Sequence, residues 1–116
     1  MLPYEITATE AAQLLEQAKQ TGPVDGKAGF VLLDVRERAE IQTARVDGTL
    51  WIPMGEIPSR VQELDPEVHI VTMCHAGVRS MNVAVWLREQ GFEKVQSIRG
   101  GIDAWSQTVD PAVPRY

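Results

Sequence analysis

The sequence holds a single cysteine, Cys74, among its 116 residues. This excludes an internal disulfide and any zinc site built on several thiolates. Histidine is almost as scarce: His69 and His75 are the only two, too few for a metal cluster. Basic residues are outnumbered, with 11 Lys and Arg against 16 Asp and Glu and a net charge of −5. A protein that grips nucleic acid or an anionic membrane wants a basic face, so neither partner is expected. Long apolar runs are missing as well. Stretches such as Phe30 to Leu33 last only a few residues, whereas a spanning helix needs about 18. The opening Met1-Leu2-Pro3-Tyr4-Glu5 lacks a basic segment followed by an apolar run, so no secretory leader is expected. Together these absences point to a reducing cytoplasm.

What is present is ordinary for a globular chain, with 44% hydrophobic and 23% charged residues. The length suits one domain over residues 1–116, with 110–116 as a tail extended over the surface, carrying Pro111 and Pro114. Thr7-Ala8-Thr9-Glu10 fits a capping box. The helix it opens places Ala11, Leu14, Leu15 and Ala18 on one face and stops near Gly22. Strands are expected at Phe30–Leu33, Thr49–Ile52, His69–Met73 and Val95–Ile98, with a fifth near Tyr4–Ile6. Helices are expected at Ala39–Thr43, Ile57–Leu64, Ser80–Gln90 and Gly101–Gln107. Continuous apolar strands alternating with amphipathic helices predict an α/β fold: a central parallel sheet of about five strands, with helices on both faces. Ligands of such sheets bind outside the carboxyl ends of the strands, and Cys74 follows one of those ends.

The segment Cys74-His75-Ala76-Gly77-Val78-Arg79-Ser80 joins that strand to a helix. A tight loop there points backbone N–H groups inward as an anion-binding nest. The helix N-terminus adds partial positive charge and Arg79 a full one; both favour the thiolate, which is the nucleophile. Gly77 lets the backbone close around the sulfur. Ser80 either caps the helix or donates to a bound anion. The bland alternative for a lone cysteine is a small buried hydrophobe, but the strand–loop–helix setting with Gly77 and Arg79 argues for chemistry. His75 either lines the mouth of the site or points to solvent. Asp34 and Arg36 lie at the end of a central strand, near the level of Cys74; they order the loop or form a structural ion pair, with Asp34 or Glu37 as the partner of Arg36.

Three motifs, in this order and spacing, resemble the rhodanese (thiosulfate sulfurtransferase) domain family over nearly the whole chain. They are Val31-Leu32-Leu33-Asp34-Val35-Arg36-Glu37, Cys74-x-x-Gly77-x-Arg79-Ser80 and Gly100-Gly101-Ile102-Asp103-Ala104-Trp105. The resemblance implies a rhodanese-like fold and a sulfurtransferase. Cys74 would take a sulfane sulfur from thiosulfate or a similar donor, become a persulfide, and pass the sulfur to cyanide or a thiol in ping-pong fashion. His75, Ala76, Gly77, Val78, Arg79 and Ser80 would form the loop that holds substrate. Asp34 and Arg36 would stand behind it. The resemblance implies no cofactor and no metal. The partners would be a small-molecule sulfur donor and a thiol or cyanide acceptor, or a sulfur-accepting protein of thioredoxin-like type.

Related phosphatase loops carry five residues between Cys and Arg. Here there are four, Cys74-x4-Arg79, a cradle sized for sulfur. Two other readings stand beside the enzyme: a persulfide carrier relaying sulfur between proteins, and a non-catalytic binding domain. Retention of both Cys74 and Arg79 counts against the second. The chain departs from the family at Ala44-Arg45-Val46-Asp47-Gly48-Thr49, where Arg45 replaces a usual histidine. The substitution leaves the chemistry intact and predicts an acidic partner for Arg45.

Overall fold

The apolar runs pair as parallel strands because both of their faces must be covered. The computed structural model describes residues 1–116. Its strands are β1 (Glu5–Ile6), β2 (Phe30–Asp34), β3 (Leu50–Trp51), β4 (His69–Met73) and β5 (Val95–Ile98). They form one five-stranded sheet in the order β1-β5-β4-β2-β3, every pair parallel. The helices are α1 (Ala8–Thr21), α2 (Arg38–Thr43), α3 (Ile57–Arg60), α4 (Val78–Glu89) and α5 (Gly101–Thr108).

Side chains alternate across the sheet and split the core in two. Leu32, Val71, Met73 and Ile98 pack with Ala11 and Leu15 of α1 and with Ile102 and Trp105 of α5. Leu33, Ile70, Val95 and Cys74 pack on the other face with Ile57 of α3 and with Val83, Ala84 and Leu87 of α4. The capping box at the start of α1 is formed: the Glu10 N–H donates to Thr7 Oγ1 at 3.1 Å, and the Thr7 N–H donates to Glu10 Oε1 at 3.4 Å. None of the helices is long and apolar enough to cross a membrane.

Strand order positions the site. From β4 the chain passes through α4 to β5 on one side, while β2 leads to β3 on the other. The strand order therefore reverses between β4 and β2, and ligands of such sheets bind at the carboxyl ends of the strands at this switch point. Asp34 pairs in register with Met73, so Val35 and Cys74 leave the sheet side by side, with Arg36 one residue further on.

Three expectations change. Ile57–Leu64 is not one helix but a 3-10 turn (Met54–Glu56), the short α3 and a second 3-10 turn (Val61–Glu63). Asp65 precedes Pro66, which disfavours helical backbone at Asp65, and the segment tightens while Ile57 and Leu64 stay buried. The tail does not simply lie extended. It turns at Asp110, whose carbonyl accepts the Val113 N–H at 3.1 Å, and buries Val113 in the core beside α1 and α5. Arg45 is exposed and makes no salt bridge, so its expected acidic partner is absent.

Candidate active site

Cys74 is the first residue after β4 and is 1% exposed. The chain then turns through Gly77, whose backbone at φ +113° is left-handed and favours glycine. This turn aims the Gly77 N–H at Cys74 Sγ, 3.1 Å away. Ser80 lies in the first turn of α4, with Gly77 at the cap, so Ser80 is not the cap itself. Its Oγ sits 3.4 Å from Cys74 Sγ and 2.7 Å from Ser97 Oγ. Ser97 is held level with Thr72 by strand register, and the Thr72 hydroxyl donates to the Ser80 carbonyl at 2.8 Å. The sulfur thus faces one backbone N–H and a relay of two hydroxyls.

The floor of the loop is the N-terminus of α5. The Ile102 N–H donates to the Cys74 carbonyl at 2.8 Å, and the Asp103 N–H to the His75 carbonyl at 3.1 Å. Such close approach requires glycine at position 101. A Cβ there would collide with the Cys74 carbonyl oxygen and lie 2.5 Å from that of His75, at a backbone φ of +57°. The Gly100-Gly101 pair is therefore part of the site's construction.

Arg79 does not reach over the sulfur as an unpartnered cation. Its Nη1 and Nη2 donate to Glu40 Oε1 and Oε2 of α2 at 2.6 and 2.8 Å. The hydrogen bonds from Arg79 draw the Glu40 carboxyl down to about 2, against the opposing effect of burial. The same hydrogen bonds raise Arg79, with the nearby charge of Cys74 contributing.

Asp34 and Arg36 are fully buried and paired. Arg36 Nε and Nη2 donate to Asp34 Oδ1 and Oδ2 at 2.9 and 2.7 Å. Nη2 also donates to the Ala44 carbonyl at 2.8 Å and Nη1 to the Glu40 carbonyl at 3.3 Å. The Arg36 side chain therefore binds the end of β2 to α2, the helix that presents Glu40. Burial opposes its charge, but the hydrogen bonds with Asp34 and Tyr116 outweigh burial and leave its pKa raised.

His75 lines the mouth, half-buried, with its ring stacked on Tyr116 at 4.2 Å between centroids. Ala76 and Val78 are exposed on the outer side of the loop, Val78 at 74%. Beside them a shallow depression of about 440 Å³ runs between Gly77, Val78, Arg99 and Gly100. The two depressions of about 450 Å³ lie elsewhere, against the C-terminal part of α1, and hold none of the loop residues.

Glu40, Ser97 and Tyr116 are site neighbours that the sequence did not single out. Glu40 carried one local signal, its place three residues after Glu37 at the start of α2. Tyr116, 76 residues from its partner Glu40, carried none.

A parallel sheet that holds a lone thiol at its switch point, under a glycine turn and against the start of a second helix, defines an α/β protein of cysteine-loop type. Residues 7–108 match the family model described as the rhodanese-like domain, and the chain belongs to that family. It is 36% identical over 83 residues to a sulfurtransferase of Allochromatium vinosum, covering 72% of this chain and 78% of that one. It is 29% identical over 112 residues to the thiosulfate sulfurtransferase GlpE of Actinobacillus pleuropneumoniae, covering 97% and 94%. A chloroplast rhodanese-like/PpiC domain-containing protein of Arabidopsis thaliana is 43% identical over 89 residues, but the chain spans only 30% of its length. Among solved structures, a rhodanese-related protein from Thermoplasma volcanium superposes with a TM-score of 0.77 at 21% identity, covering 98% of this chain and all of that one. The fold is thus rhodanese-like, and the relatives from A. vinosum and A. pleuropneumoniae are named as sulfurtransferases.

Proposed function

We propose that the protein transfers a sulfane sulfur through a persulfide on Cys74. The observation that carries this reading is the seat of Cys74 Sγ at the carboxyl end of a central strand, accepting the Gly77 N–H at 3.1 Å beside the Ser80 hydroxyl. Donors placed at a sulfur nucleophile also favour the negative charge when it moves to the outer sulfur of the persulfide.

In the first half-reaction the Cys74 thiolate attacks the outer sulfur of thiosulfate. A new S–S bond forms on Sγ, the S–S bond of the donor breaks, and sulfite leaves with the electron pair and both of its negative charges. In the second, cyanide or a thiolate attacks the outer sulfur of the persulfide, and Cys74 leaves as a thiolate. Each step exchanges one bond to sulfur for another, so no external oxidant or reductant is consumed. The names of the relatives from A. vinosum and A. pleuropneumoniae support the reaction class. A covalent intermediate between two half-reactions predicts ping-pong kinetics. Initial rates with thiosulfate and cyanide varied together give parallel double-reciprocal lines; intersecting lines contradict the persulfide route.

A further inference from the structure

Each guanidinium at the site already has a carboxylate. Arg36 is engaged by Asp34 behind the loop, and Arg79 by Glu40 at its mouth. The Tyr116 hydroxyl donates to Glu40 Oε2 at 2.7 Å and accepts from Arg36 Nη1 at 3.0 Å. Its ring lies nearly parallel to that of His75, 16° apart. The mouth therefore offers a compensated ion pair and a flat aromatic wall rather than an open cationic pocket.

We propose that Glu40 and Tyr116 are specificity-determining residues that set the site against a small dianionic donor such as thiosulfate and in favour of a thiol persulfide of lower charge. The inference rests on the sulfur-transfer reading above and narrows its donor. An anion approaching Arg79 must either displace Glu40 from two charge-assisted hydrogen bonds or accept the repulsion of the carboxylate beside it. That repulsion scales with the charge of the donor, so a dianion feels about twice what a monoanion feels. The carbon chain of a thiol persulfide also gains contact with the His75–Tyr116 wall, which the sulfite portion of thiosulfate does not. Transfer from such a donor balances without a further reactant. Cys74 attacks the outer sulfur of R–S–SH, a new S–S bond replaces the old one, and R–S⁻ departs with the electron pair.

The test compares thiosulfate with cysteine persulfide as donor, and cyanide as the common acceptor, in the full chain and in Glu40→Gln and Tyr116→Phe. Thermal melting of each variant establishes that it is folded. In Glu40→Gln, kcat/KM for thiosulfate should rise about threefold to tenfold, through KM, while that for cysteine persulfide shifts by less than about twofold. Tyr116→Phe keeps the ring on His75 and loses the hydrogen bond to Glu40. It should move the same ratio in the same direction by a smaller factor, and carries the test alone if Glu40→Gln fails to fold. A donor ratio unchanged or shifted against thiosulfate in folded variants overturns the proposal while leaving sulfur transfer standing. A wild-type chain that takes sulfur from neither donor overturns both.

Discussion

Arg79 and Glu40 stand 39 residues apart in the chain and meet through two hydrogen bonds of 2.6 and 2.8 Å, which join the start of α4 to α2. The pair lies at the mouth of the loop that holds Cys74, so it links the stability of the loop to a titrating group. The Glu40 carboxyl falls from an ordinary 4.5 to about 2 in the fold. A depressed acid contributes stability that is fully present above its unfolded value and is lost as pH falls through its folded value. The contribution should therefore be intact at neutral pH and decline between about pH 5 and pH 2. With allowance for solvent screening it amounts to about 1–2 kcal/mol. Denaturant unfolding of wild type and Glu40→Gln across pH 3–7 should show the two curves converging on the acid side; parallel curves would contradict the linkage.

The buried pair of Asp34 and Arg36 should respond quite differently to substitution. Asp34→Ala leaves a guanidinium with no exposure to water and no carboxylate. Stranding one member of a buried pair costs about 3–5 kcal/mol. The urea midpoint should fall accordingly, and a loss below about 1 kcal/mol would mean that water or another acceptor replaces Asp34.

Gly101→Ala tests the floor of the loop. The added methyl meets the carbonyls of Cys74 and His75 on a left-handed backbone. The variant should lose about 2 kcal/mol or more, and sulfur transfer should fall even at temperatures where it remains folded. A variant with wild-type melting and activity would show that α5 does not hold the loop in place.

Ser80→Ala removes the hydroxyl 3.4 Å from Cys74 Sγ and leaves Ser97 without its 2.7 Å partner. A hydrogen bond to the Cys74 thiolate as it departs in the second half-reaction contributes about 1.5–3 kcal/mol. Transfer of the outer sulfur from the persulfide to cyanide should therefore slow by about tenfold or more, measured in single turnover. An unchanged rate would assign Ser80 to packing alone.

Much of this arrangement is legible in the sequence because it is written locally. The Thr7–Glu10 box spans four residues, β4 is a short run rich in β-branched residues, and the loop from Cys74 to Ser80 is contiguous. Local patterns report hydrogen bonds and burial within a few residues, and the capping box and the left-handed turn at Gly77 are of this kind. Long-range pairings leave no such trace. The partner of Arg79 is decided by how α2 lies against α4, and α2 is placed by Arg36 reaching the carbonyls of Glu40 and Ala44. The route of Tyr116 depends on the turn at Asp110 and on the burial of Val113, neither of which has a period to detect. The break at Ile57–Leu64 belongs to the same class: the spacing of Ile57, Val61 and Leu64 is helical, yet Pro66 limits how far a helix can run.

A persulfide on Cys74 is measured most directly by intact mass. The reduced protein is incubated with thiosulfate, and in parallel with cysteine persulfide, then weighed before and after cyanide. The mass should rise by one sulfur atom, a gain absent from Cys74→Ser and reversed by cyanide. A folded, reduced protein that keeps its mass with both donors, or a Cys74→Ser variant that gains the same sulfur, would contradict it.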